Sequence, residues 1–276
     1  MNNPSPVLPL LGRGLAAGGA AGLVTGLFSL LLAEPVMDRA IVLEEARSAK
    51  AEAAEHAHAA AGAVAEHHEE LFSRSQQHFG LVVTAVVAGL ALGALFAVAY
   101  ALVHRRTGFL VRAWPRALAF CAAAFVAVAL LPGLRYPAAP PGVGDANTVG
   151  ERQTLWLAAV VISVLGMLLA WQVYVRLAGK ADPVRHGAVF LIGAATLAVL
   201  FLLPGNPDEV PVPATLLWDF RVLSLGSQVL LWAVFAAVFG GLGLRATKRA
   251  GSPAPARAAS SQAASSQDSA PATAGA

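Results

Sequence analysis

The chain carries six apolar blocks of roughly twenty residues, the length that crosses about 30 Å of hydrocarbon at 1.5 Å per residue. They run from about 12 to 33, 80 to 103, 117 to 134, 155 to 177, 187 to 203 and 222 to 244. In hydrocarbon every backbone N–H and C=O must be paired within its own segment, so each block is expected to be a helix. The fold class that follows is all-α: a polytopic membrane protein with about six transmembrane helices. Composition agrees, with 57% hydrophobic and 13% charged residues. A soluble domain carries about twice that charge. The first block is too long for a signal-peptide core and runs straight into "EPVMDRA", so it reads as an uncleaved span.

The linkers set the expected orientation. "VHRRTGFLVRAWPR" (103–116), "RLAGKADPVRH" (176–186) and "RATKR" (245–249) are basic. They alternate with two proline-rich linkers, "LPGLRYPAAPPGVGDANTVGERQ" (131–153) and "LPGNPDEVPVPATLLWDFR" (203–221). Short Lys/Arg-rich loops mark the cytoplasmic side, so both termini are expected there. The segment 34–79 then lies outside. Residues 1–245 form the membrane domain, and 246–276, rich in Ala, Ser, Pro and Gln, reads as a disordered cytoplasmic tail. The net charge of +3 is accounted for by these linkers and calls for no nucleic acid. A single cysteine, Cys121, excludes an intramolecular disulfide.

The outer segment is the chemically unusual one. "AEHAHAAAGAVAEHHEEL" (54–71) holds four histidines and four glutamates. Residues 38–78 contain no proline and one glycine, Gly62, and are rich in Ala, Glu, Arg and Leu. A long helix, or two helices broken near Gly62, is expected. Glu45, His56, His67 and His78 are each eleven residues apart, close to three helical turns, and so share one face. Glu44, Glu55, Glu66 and Gln77 form the adjacent stripe. Imidazole and carboxylate together suit divalent ions such as zinc, nickel and cobalt. The candidate metal ligands are His56, His58, His67, His68 and His78 with Glu52, Glu55, Glu66 and Glu70. Successive stripe members stand about 16 Å apart along a helix, too far to share one ion. A closed site needs a fold-back at Gly62, a second copy of the chain or a partner. The same pattern also suits a solvated helix face.

Charges elsewhere gather at the outer span ends. Glu34, Asp38, Arg135, Arg152, Asp219 and Arg221 are candidates for a polar vestibule, with Glu34 or Asp38 pairing with an arginine; interfacial anchoring is the plainer alternative. Inside the spans the polar groups are few, and Gln228 with Ser224 and Ser227 is the main cluster. His104 and His186 sit in basic linkers and read as interfacial residues. Glycines four apart in "GLAAGGAAGLVTG" (14–26) and "GLALG" (89–93) predict close packing of the first two spans. The likeness of the two Leu-Pro-Gly loops suggests that spans three–four and five–six are related units. No Gly-x-x-x-x-Gly-Lys-Ser/Thr phosphate loop occurs.

The order "AEPVMDRAIVLEEA", "SRSQQHFGL", "LLPGLRYPAAPPGVGDANTVGERQTLWL" and "LLPGNPDEVPVPATLLWDFRVLSLGSQVLLW" resembles the CbtA family of predicted cobalt transporter subunits. The likeness covers nearly the whole chain except the tail, and its specific parts are Arg-Tyr-Pro-x-x-Pro-Pro and Trp-Asp-Phe-Arg. It implies a multi-pass protein of the bacterial inner membrane serving cobalamin-related cobalt uptake. The spans carry no catalytic constellation, such as a His/Glu metal pair on one helix, so an enzyme is not expected. The resemblance also implies a small one-span histidine-rich partner of the CbtB type, with Co²⁺ as the transported ion and no tightly bound cofactor. On that reading Co²⁺ gathers at the outer histidines, passes Glu34 and Asp38, and crosses between helices near Gln228. The alternative is an accessory or scaffold subunit that binds metal outside and conducts nothing. The same ligands would serve Ni²⁺ or Zn²⁺.

Overall fold

A computed structural model describes residues 7–58, 74–105, 108–141, 143–208 and 210–251. Among these residues there are helices and no strands. Six helices are long and apolar enough to cross a membrane, so the chain is an all-α polytopic membrane protein. The elements are α1 (Val7–Phe28), α2 (Glu34–His58), α3 (Arg74–His104), α4 (Ala113–Phe125), α5 (Leu131–Arg135), α6 (Val149–Arg176), α7 (Asp182–Leu202) and α8 (Ala214–Gly251).

Two joints are wide turns with a common cause. Between α1 and α2, residues Ser29–Ala33 form a π turn, and the Glu34 N–H bonds to Ser29 O, five residues back. Between α4 and α5, Val126–Leu130 does the same, with the Leu131 N–H reaching Val126 O. A proline follows each joint, Pro35 and Pro132. Proline has no N–H to continue the α ladder, and its ring crowds the carbonyl four residues back. Widening the preceding turn relieves both problems without breaking the helix. The first span and α2 are therefore one continuous rod.

Close packing of the first two spans is as the glycine spacing predicts. Gly14, Gly18 and Gly22 of α1 meet Gly93, Gly89 and Ala85 of α3, and a Cβ added at any of the three would overlap a facing carbonyl oxygen. Ala17 and Ala21 are fully buried beside them. α1 also packs on α8, and α8 on α4. Their shared core is aromatic. Phe96 lies 4.6 Å from Phe235 and 5.0 Å from both Phe120 and Phe239, ring centre to ring centre. Cys121 is buried in this cluster as an apolar filler.

α6 packs on α5, the second π turn and α7, so α6 and α7 stand to one side of the aromatic core. Their polar side chains bond inward to their own helices, Ser163 to Ala159 O at 2.7 Å and Thr196 to Ile192 O at 2.8 Å. α7 packs chiefly on α6, whereas α8 packs on α1 and α4. The two Leu-Pro-Gly loops thus join helices that are paired differently. α8 runs on past the sixth apolar block to Gly251, with Lys248 and Arg249 in its last turn, where cations favour the helix dipole.

Candidate functional site

The ends of the helices bring two polar neighbourhoods to one face of the bundle. That face carries the joint of α1 and α2, the start of α3, the end of α5, the start of α6, the end of α7 and the start of α8.

The first neighbourhood is built on the α1–α3 contact. Glu34 opens α2 just after the π turn, and His78 lies in the first turns of α3. His78 Nε2 stands 3.1 Å from Glu34 Oε1. A carboxylate that accepts from Nε2 of a neutral imidazole leaves Nδ1 with its lone pair. A carboxylate that holds one ring N–H of a histidine while the other nitrogen binds metal is a common arrangement around metals. His78 is one partner of Glu34, because the tight α1–α3 packing sets their helix ends side by side. Asp38 follows one turn after Glu34 and is half-buried. Among the described residues no three His, Cys, Asp or Glu side chains come together as a metal site.

The rest of the histidine pattern is described in part. α2 reaches His58, so Glu52, Glu55, His56 and His58 lie on helical backbone. His67, His68, Glu66 and Glu70, and the expected break near Gly62, lie outside the described residues. α2 is anchored beside α8: Val36 and Ala40 pack on Leu216, and Arg47 Nη1 donates to Pro211 O at 2.9 Å.

The second neighbourhood is a cap made by the two proline-rich loops. Arg135 Nη2 donates to Leu203 O at 2.5 Å and Pro204 O at 2.6 Å. The Tyr136 hydroxyl donates to Pro204 O at 2.8 Å. Asp208 receives the Thr148 hydroxyl at 2.7 Å on one oxygen and stands 3.1 Å from Arg152 Nε on the other. Arg152 also donates to Val143 O and Asp145 O, and Arg221 Nε to Ala138 O at 3.4 Å. These residues enclose a cavity of about 420 Å³ whose wall includes Arg135, Arg152, Arg221, Asn206 and Asp208. The described wall holds three guanidinium groups against one carboxylate, a surplus that repels a bare divalent cation.

Of the expected vestibule, Arg135, Arg152 and Arg221 meet in this cavity, whereas Asp219 is exposed on α8 outside it. Gln228 was expected between helices but is exposed. At that level α8 turns Gly226 toward Phe28 of α1, which leaves Gln228 on an outer face. Asp208, Thr148 and Tyr136 escaped the sequence reading. The only signal for them was the pair of Leu-Pro-Gly loops, whose mutual contact spacing alone does not reveal. His104 is also buried rather than interfacial: its Nδ1 lies 3.1 Å from Tyr100 O and its ring stacks on Tyr100 at 4.2 Å.

No curated protein and no solved structure matches the chain. The family description "Probable cobalt transporter subunit (CbtA)" matches residues 8–243. A match of that extent, over the bundle and its loop cap, makes this chain a member of the CbtA family.

Proposed function

We propose that the chain is the membrane subunit of a Co²⁺ uptake system linked to cobalamin metabolism, in the bacterial inner membrane with both termini cytoplasmic. The observation that carries this reading is the Glu34–His78 pair at the head of the α1–α3 contact. It joins an imidazole of the histidine segment to a carboxylate at a span end. Co²⁺ gathers at His56, His58, His67 and His68 with Glu52, Glu55, Glu66 and Glu70, and binds His78 through Nδ1 while Glu34 holds the ring. Asp38, one turn further out along α2, passes the ion to this pair. The remaining ligands come from a one-span histidine-rich partner of the CbtB type or from a second copy of the chain. Energy comes from an ion gradient, the metal's own gradient or the partner, since the sequence carries no phosphate loop.

A second reading has specific support. The described residues hold no three-ligand cluster, and Gln228 is exposed. Both favour an accessory subunit that presents metal to a conducting partner.

The test is cobalt accumulation in cells lacking other cobalt uptake. The chain and its partner are expressed each alone, together, and together with His56, His58, His67, His68 and His78 changed to Ala. Uptake that requires the chain and falls with the histidines supports the proposal. Uptake by the partner alone, unchanged by adding this chain, contradicts it.

A further inference from the structure

The arginine cavity lies outside the cation route proposed above, and its chemistry is that of an anion site. Arginine presents a planar fork of N–H donors that matches phosphate, and it is the residue best suited to that group. Arg135, Arg152 and Arg221 line one cavity of about 420 Å³, opposed among the described wall residues by Asp208 alone.

The depth and shape of the cavity say which anion. Trp156, in its wall, and Trp218, nearby on α8, are 46% and 69% exposed. Exposed tryptophans at span ends mark the level of lipid headgroups. Through Arg152 and Trp156 the cavity continues into a shallow depression on α6 that also includes Val149 and Leu157. Leu157 is 57% exposed. A charged cup at headgroup level that opens onto an apolar track fits one kind of molecule. We propose that this cavity binds the phosphodiester headgroup of an anionic membrane phospholipid, with an acyl chain lying along α6.

The test uses the full chain, purified in detergent, stripped of lipid and then offered phosphatidylglycerol, phosphatidylcholine or inorganic phosphate. Native mass spectrometry counts retained lipid, and thermal unfolding reports protection. Phosphatidylglycerol should be retained over phosphatidylcholine by roughly tenfold, the scale of one added charge-assisted hydrogen bond. Arg221→Gln should remove most of that preference and Arg221→Lys should keep part of it. Arg221 makes one long bond to a loop carbonyl, so neither change unties the Arg135 latch. Arg39→Gln alters an exposed arginine on the same face outside the cavity and should keep the preference in full. Equal retention of the two lipids would overturn the proposal. So would equal losses in the Arg39 and Arg221 variants, which would indicate general surface charge. Protection by inorganic phosphate as strong as that by phosphatidylglycerol would replace the lipid with a free phosphate.

Discussion

At the scale of single residues, Asp208 determines how the loop cap holds. It is 6% exposed, while its partner Arg152 is 31% exposed. A pair in that setting is screened less than a surface ion pair. Loss of one partner leaves a charge with reduced access to water. Asp208→Asn keeps a carbonyl for Thr148 but no charge for Arg152. We expect it to lower stability by about 1–3 kcal/mol, read as a fall in the thermal midpoint of the purified protein. An unchanged midpoint would mean that the Arg135 and Tyr136 bonds hold the cap without it. The residues of this cap were only half legible in the sequence. Arg135, Arg152 and Arg221 stand out as charges beside apolar spans. Asp208 does not, because its role depends on contact with a loop 60 residues away. The Glu34–His78 pair, 44 residues apart, was hidden for the same reason: each residue was visible, and their meeting was not.

At the scale of elements, the helices were legible because hydrocarbon permits so few alternatives. The α1–α3 packing was legible too, since glycines four apart leave one flat stripe on each helix. Gly18→Ala places a methyl group against the Gly89 backbone and should cost about 1–3 kcal/mol through forced separation of the helices. Gly12 has nothing within 4 Å of an added Cβ, so Gly12→Ala should be neutral or stabilising by up to about 1 kcal/mol. Comparing the two variants by thermal unfolding separates packing from helix propensity. The π turns were not legible as such, although Pro35 and Pro132 are their cause. Pro35→Ala restores the missing N–H and lets the first π turn tighten to α. That would remove one residue from the wide turn and rotate α2 by about 100°, one residue's share of an α turn. Glu34 would then leave His78. The expected result is a folded protein with lost metal uptake; full uptake in this variant would show that the wide turn plays no part.

At the scale of the whole molecule, the alternation of basic and proline-rich linkers predicts which face is outside. The structure groups the proline-rich loops, α2 and the start of α3 on one face, consistent with a single side for all of them. The chain's own cysteine, Cys121, is buried at 2% exposure. An introduced cysteine can therefore be read without removing it. Ser48→Cys, on the exposed surface of α2, should react with a membrane-impermeant maleimide in intact cells. Labelling only after the membrane is opened would invert the proposed orientation. What the sequence could not supply at this scale is the ion's route, because its ligands must converge from several helices or from another chain.

The most direct measurement is radiolabelled cobalt uptake into proteoliposomes holding the chain with its one-span partner, comparing wild type with His78→Ala and Glu34→Gln. The pair is partly exposed, with His78 at 40% and Glu34 at 12%. Each substitution should therefore change stability by no more than about 1 kcal/mol, and uptake reports on the metal rather than on the fold. Cobalt uptake is expected in wild type, with a loss of roughly tenfold or more without the imidazole and a smaller loss with the neutral amide, on the scale of ligands and their orienting partners. Wild-type rates in both variants, with the protein folded and inserted, would contradict the proposed metal role of this pair.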